Sequence, residues 1–175
     1  MTTLILGPMF SGKTTELIRR CKRWQSVGKK VLIINHASDL RRGTSDVVTH
    51  DGVRMSSLSL ANITTFDIFK DYDVIAFDEA QFFTGLDKYI SKLSDYSGRR
   101  VIISALSGDY RREPWPGIDK LIALSDDIVH CKALCTRCNQ PAPFTKKFED
   151  SGDRIDIGAE DKYTSLCRGC YVLLK

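Results

Sequence analysis

Short unbroken apolar runs alternate along this chain with segments whose apolar residues recur at helical spacing. Leu4-Ile5-Leu6 is the first run. The segment after it, up to about Gln25, places Leu17, Ile18, Cys21 and Trp24 on one face, with Arg19, Arg20, Lys22 and Arg23 largely opposite. Cys21 reads as a small apolar residue packed against a sheet. Gly28 ends the helix, and Val31-Leu32-Ile33-Ile34 reads as a buried strand. Val74-Ile75-Ala76-Phe77 predicts a third strand, residues 85–96 a helix stopped by Gly98, and residues 101–106 a fourth strand. Pro114 and Pro116 break the next loop before a short helix at 118–123, and residues 127–133 predict a fifth strand. Residues 35–65 are polar and poorly periodic, with Gly43 and Gly52 as turn signals. Non-alternating apolar runs separated by helices predict a parallel sheet covered on both faces. From Leu134 onward the character changes, and cysteines appear.

Composition narrows the class without deciding it. The 175 residues, 42% hydrophobic and 27% charged, suit one globular domain with a small appendage. No apolar run approaches the roughly 20 residues of a membrane span. The first strand begins almost at once and leaves no room for a signal peptide, so a cytosolic protein is expected. The formal charge of +4 falls by two if four cysteines are zinc thiolates around one Zn²⁺. That balance is too weak to indicate a nucleic-acid binder, and the basic pairs read mostly as solvated faces.

Chemistry concentrates first in Gly7-Pro8-Met9-Phe10-Ser11-Gly12-Lys13-Thr14. This is GxxxxGK[ST] in its proper setting, after a strand and opening a helix, and a chance glycine turn is the competing reading. Glycines at both ends let backbone N–H groups turn inward on a phosphate, and the helix N-terminus adds its free N–H groups and positive dipole end. Lys13 would reach the β- and γ-phosphates and the Thr14 hydroxyl a Mg²⁺ ion. Asp78-Glu79 closes the third strand, where a parallel sheet places its ligand groups. Asp78 suits Mg²⁺, and Glu79 is free to act as a general base. If it deprotonates a water the protein is an ATPase; if it deprotonates a substrate hydroxyl, a kinase.

Cys135-x-x-Cys138 and Cys167-x-x-Cys170 are two knuckles that read as a closed four-thiolate structural zinc site. A redox CxxC would need a strand–helix junction, and disulfides conflict with a cytosolic location. Neighbouring His130 and Cys131 read as strand residues, although His130 offers an alternative ligand. The 28 residues from 139 to 166 are pinned at both ends by the one metal, which suggests a lid. Ile155-Asp156-Ile157-Gly158-Ala159 and Lys162-Tyr163 lie within it; a hairpin without a ligand is the alternative.

Together these pieces resemble the zinc-containing thymidine kinases of animal cells, many bacteria and poxviruses. The most specific matches are the P-loop, Asp78-Glu79-Ala80-Gln81-Phe82-Phe83, and Asp161-Lys162-Tyr163 through Cys167-Arg168-x-Cys170-Tyr171. The resemblance spans nearly the whole chain. It implies a P-loop (RecA-like) parallel sheet flanked by helices over residues 1–133, and a small zinc-binding domain with a lid (lasso) loop over 134–175. The implied activity is ATP-dependent phosphorylation of the 5′-hydroxyl of thymidine, and also of deoxyuridine, for deoxynucleotide salvage. A homotetramer with feedback inhibition by thymidine triphosphate is implied too, with no membrane or direct nucleic-acid partner.

By position, the resemblance makes Glu79 the base for the 5′-hydroxyl and puts Asp39, Arg41 and Gln81 on the nucleotide side. Tyr110 would pack beside the base, and Met9, Leu106 and Thr145 would line the thymine pocket. The stretch Arg154, Ile155, Asp156, Ile157 and Gly158 would hold the nucleoside through backbone groups, joined by the Tyr163 side chain. Four departures accompany the match. Leu106-Ser107-Gly108-Asp109-Tyr110 stands where the family usually has Leu-Asp-Gly-Thr-Phe, Asp156 stands at a usual Val, Ala159 at a second glycine, and Asp39-Leu40-Arg41-Arg42 for Asp-Thr-Arg-Tyr. The rival readings are a nucleic-acid-stimulated ATPase and a non-enzymatic nucleotide-binding scaffold. Modest charge and the lack of a second motor domain argue against the first; an intact Lys13, Thr14, Asp78 and Glu79 argues against the second.

Overall fold

The computed structural model describes residues 1–38, 46–48, 52, 54–148, 154 and 161–173. Six parallel strands form the main sheet: β1 (Thr2–Gly7), β2 (Val31–His36), β5 (Leu58–Leu60), β6 (Val74–Asp78), β7 (Arg100–Leu106) and β8 (Asp127–His130), in the order β5-β2-β6-β7-β1-β8. Alternation along each central strand divides its residues between two cores. Leu4, Leu6, Ile75, Phe77, Val101 and Ile103 join one cluster; Ile5, Val74, Ala76 and Ile102 join the other.

Helix α1 (Lys13–Gln25) covers the second face through Leu17, Ile18 and Cys21, as its periodicity predicts. The first face is covered by α2 (Leu86–Ser91), which runs on into a π turn (Lys92–Tyr96), and by α3 (Ile118–Ala123). Every buried strand expected from the apolar runs is present, and so are all three helices.

Two expectations need correction. Residues 35–65 are not merely irregular: β3 (Asp46–Val48) pairs with β4 (Arg54–Ser56) as a hairpin, and β5 joins the sheet edge beside β2. The fifth expected strand also stops short, at His130 rather than Ala133. Cys131 N–H still bonds to Leu6 O (2.8 Å), but β1 ends at Gly7 and its chain turns away, so the following residues leave the main sheet.

Ala133 belongs instead to a separate small body. There β9 (Ala133–Leu134) pairs with β10 (Pro141–Ala142), and β11 (Phe144–Lys147) with β12 (Tyr163–Leu166), all antiparallel, followed by α4 (Arg168–Leu173). Its buried core is Ala133, Cys135, Ala142, Leu166 and Tyr171. Among the described residues no helix is long and apolar enough to cross a membrane.

Candidate active site

The C-terminal ends of β1, β2, β6 and β7 lie side by side, so Gly7, Asn35, Asp78 and Leu106 share one edge of the sheet. The loop after β1 is tightly specified. A Cβ on Gly7 would meet both Cys131 O and Ser11 Oγ at 2.6 Å, so only glycine fits where β1 turns beside β8. Phe10 (φ 63°) and Gly12 (φ 77°) are left-handed, which gives the loop the alternating backbone that aims N–H groups into a concavity. No side chain caps the N-terminus of α1. Lys13 is buried and donates from Nζ to Pro8 O (2.7 Å), and Ser11 Oγ donates to the same carbonyl (2.8 Å).

Thr14 Oγ1 donates to Asp78 Oδ2 (3.0 Å), joining the first helical turn to the end of β6. Asp78 Oδ1 is buried without a hydrogen-bond partner. Burial, then the charge of Glu79, pushes the Asp78 carboxyl up to about 6, against the pull of the Ser104 and Thr14 hydroxyls and Lys13. An orphaned carboxylate oxygen beside a threonine hydroxyl suits a hard cation, and the residues present fit Mg²⁺.

Glu79 follows with a left-handed backbone (φ 53°, ψ 43°), a conformation costly for a residue with a Cβ and concentrated at functional sites. It turns the chain out of β6 into the short 3-10 turn Ala80–Phe82. Its Oε2 accepts from Gln81 Nε2 (2.5 Å), and Gln81 Oε1 accepts from Leu106 N–H (3.0 Å). Gln81 thus orients Glu79 against the end of β7.

The small cysteine-bearing body meets this edge. Met9 N–H donates to Thr145 Oγ1 (3.0 Å), tying the P-loop to β11. Tyr171 donates to Tyr110 O (2.6 Å). Lys147, buried and directly opposite Tyr163 across the hairpin, lies over the rings of Tyr110 (5.4 Å) and Tyr163 (6.0 Å). Met9 and Thr145 thereby meet at the P-loop, and Tyr110 and Tyr163 share Lys147. Arg154 packs against the loop after β7. Asp39, Arg41, Ile155, Asp156, Ile157 and Gly158 lie outside the described residues.

The sulfurs of Cys135, Cys138, Cys167 and Cys170 all lie within 4.8 Å of one another, close to the roughly 3.8 Å edge of a zinc–thiolate tetrahedron with 2.3 Å bonds. Burial raises the Cys135 thiol, but backbone N–H donors from Cys167, Arg137 and Cys138 outweigh it and hold it down to about 6. Cys170, hydrogen-bonded to Cys167 and Cys138, is pushed up to about 12. Four adjacent sulfurs can all be thiolates only around a cation, so the set fits Zn²⁺.

Three contributors escape a reading of the sequence. Asn35 is buried beside Asp78 in register, with Oδ1 unpartnered; its only signal is a polar residue ending an apolar strand. Lys147 looks like one half of a basic pair. Asp109 starts the pattern Asp-x-Arg-x-Glu, whose turn-forming first residue was the available clue.

An α/β protein with a P-loop, a buried carboxylate tied to its threonine and a cysteine-bearing module against them has the layout of a phosphotransfer enzyme. The thymidine kinase family model matches residues 1–171, and the chain belongs to that family. It is 39% identical over 170 residues to a thymidine kinase of raccoon poxvirus, covering 97% of this chain and 95% of that protein. Thymidine kinases of vaccinia virus strain Ankara (38% over 170 residues; 97% and 95%) and of myxoma virus strain Uriarra (37% over 169; 96% and 94%) are similar throughout.

Proposed function

We propose that this protein is a thymidine kinase that moves the γ-phosphoryl group of ATP to the 5′-hydroxyl of thymidine, and of deoxyuridine. The observation that carries the assignment is the strained Glu79, held by Gln81 one residue beyond the Asp78–Thr14 pair. A base fixed beside, but separate from, the metal carboxylate suits a substrate hydroxyl arriving in line with a bound triphosphate. Glu79 takes the 5′-hydroxyl proton as the 5′-oxygen bonds to the γ-phosphorus. The bond from that phosphorus to the β-phosphate oxygen breaks, and ADP leaves.

The P-loop backbone from Gly7 to Thr14 holds the phosphates, and Lys13 swings from Pro8 O to the β- and γ-oxygens. Thr14 and Asp78 would hold Mg²⁺, which would supply neutralisation of the phosphate charge. Arg41 stabilises the transferred group, with Asp39 and Gln81 on the nucleotide side. Met9, Leu106, Thr145, Tyr110, Tyr163 and the stretch 154–158 take the nucleoside. A site that hydrogen-bonds the fixed donor–acceptor edge of thymine rejects bases that leave its groups unpaired. Cys135, Cys138, Cys167 and Cys170 hold structural zinc.

The wider reading rests on family resemblance. It comprises residues 1–133 and 134–175 as two domains, a cytoplasmic homotetramer, feedback by thymidine triphosphate, and a role in deoxynucleotide salvage. The test is a panel of thymidine, deoxyuridine, deoxycytidine and purine deoxynucleosides with Mg-ATP, read as 5′-monophosphate. Thymidine turnover well above the others is expected. ATP hydrolysis that needs DNA, with no nucleoside phosphorylated, would overturn the assignment.

A further inference from the structure

The C-terminal ends of β2, β6 and β7 carry a row of polar side chains on one face of the sheet. Ile33, Ala76 and Ile102 belong to the core under α1, whereas Ile34, Phe77 and Ile103 belong to the opposite core. By alternation the next residue on each strand returns to the α1 side, and these are Asn35, Asp78 and Ser104. Asn35 pairs with Asp78 in register, and Ser104 follows the Phe77–Ile103 pair. Neighbouring strands lie about 4.8 Å apart, so the three side chains are immediate neighbours. At 8%, 3% and 1% exposure, none can rely on bulk water for its hydrogen bonds.

Those bonds do not balance. Asp78 takes the hydroxyls of Thr14 (3.0 Å) and Ser104, yet its Oδ1 has no donor. Asn35 Oδ1 has none among the described residues either. Two buried acceptors side by side without a donor are costly, and an apolar residue at position 35 would avoid half of that cost. Mg²⁺ dehydrates reluctantly and keeps several waters, each with two hydrogens to donate. One such water between the two oxygens would satisfy both. Turned over, the amide would instead give Nδ2 straight to Asp78, and the variants below separate the two arrangements.

We propose, resting on the Mg-nucleotide kinase reading and deepening it, that Asn35 is a positioning residue of the metal site. Its Oδ1 and Asp78 Oδ1 together receive one water of the ion's hydration shell. Asn35 thereby favours the metal-loaded state and burdens the metal-free one.

The test titrates the full chain with fluorescent mant-ATP in the absence of nucleoside, with Mg²⁺ and again after Mg²⁺ is dialysed away without a chelator, so that zinc is kept. Mg²⁺ strengthens binding to the wild type. Asn35→Leu keeps the size of the side chain and removes its acceptor. In that variant the gain from Mg²⁺ is expected to fall about tenfold, the scale on which lost outer partners of metal ligands act. Its affinity without Mg²⁺ is unchanged. Asn35→Asp keeps an acceptor at the same place and retains the gain. Without Mg²⁺, Asn35→Leu melts at or above the wild type, because an unpaired buried acceptor is gone.

An equal gain from Mg²⁺ in Asn35→Leu and the wild type would overturn the inference while leaving an active kinase. So would a metal-free Asn35→Leu that melts well below the wild type or fails to fold, since Asn35 would then be a structural residue. A loss in Asn35→Asp as deep as in Asn35→Leu would overturn it too, in favour of an amide N–H donated directly to Asp78. A wild type that binds ATP no better with Mg²⁺ and phosphorylates no nucleoside would instead overturn the functional reading, and the role of Asn35 with it.

Discussion

The sheet and the cysteine-bearing body solve the same problem with opposite means. Around the sheet, two clusters of fully buried aliphatic and aromatic side chains, among them Leu4, Ile33, Phe69, Phe77 and Ile103, hold six strands against helices. Among the described residues, the second body has five buried core residues, two short hairpins and one short helix. Burial on that scale does not offset the ordering entropy of so many residues. Four convergent cysteines, placed to bind a metal ion, are where the difference would be made up. The comparison teaches that the P-loop stands on the part that folds by burial, whereas the part with little apolar core carries four cysteines placed to bind a metal ion.

The sharpest way to break this contrast is to remove the metal. One tightly bound zinc per chain is expected, and Cys167→Ser or strong chelation should abolish nucleoside phosphorylation. Zinc–thiolate folding energy of about 10–16 kcal/mol in small peptides makes partial retention of the module implausible. The sheet should survive, read as retained far-UV circular dichroism and nucleotide binding. Loss of both parts in one transition would show that the small body is structural support for the whole chain. Next in size, Glu79→Gln should lower kcat at least about 100-fold, the usual scale for a lost general base, while Mg-ATP affinity stays within twofold. Near-normal turnover in that variant would remove Glu79 from the mechanism.

Legibility followed the same divide. The apolar runs and the P-loop spacing are local signals, and so are the two CxxC knuckles; each survives in structure where the residues were expected. Strand β5 was hidden because three residues, Leu58 to Leu60, are too few to show a period and sit at an exposed edge. Glu79 was recognisable as a carboxylate at a strand end, but its left-handed backbone was not, since nothing in a non-glycine residue advertises that strain. Gly7 was legible as part of a motif, while its closest reason, the carbonyl of Cys131, lies just past the end of β8, more than a hundred residues away. The joints between the two bodies were the least visible. Met9 with Thr145, and Asp109 with Arg154, are polar pairs whose partners lie far apart in sequence, and ordinary polar residues carry no long-range label.

Thr145→Val tests one of those joints. It keeps the shape of the side chain and leaves Met9 N–H without its acceptor, a loss of about 1 kcal/mol. If the bond aligns the two bodies over the nucleoside, thymidine KM should rise about fivefold, with the zinc content and the melting of the sheet unchanged. A KM within experimental error of the wild type would mean that the hairpin is positioned by Tyr171 and its neighbours instead.

The smallest effect belongs to the surface of α1. Glu16 takes Arg19 Nε at 2.6 Å and Arg20 Nε at 2.7 Å, and the Arg19 bond, followed by that of Arg20 and their charges, outweighs burial and brings its carboxyl down to about 2 from 4.5. A depressed carboxylate stabilises the fold above about pH 4.5 and loses that contribution as pH falls toward 2. Taken at face value the shift implies several kcal/mol, but the Arg19 side chain is 52% exposed and water screens the pair. Glu16→Gln should therefore cost about 0.5 kcal/mol at pH 7, a melting shift of about 1–2 °C. The two proteins should converge as pH falls toward 2. A loss of several degrees at neutral pH would show that the helix carrying the P-loop depends on its charges as well as on the face it buries, and the contrast between a burial-built sheet and a metal-built module would soften accordingly.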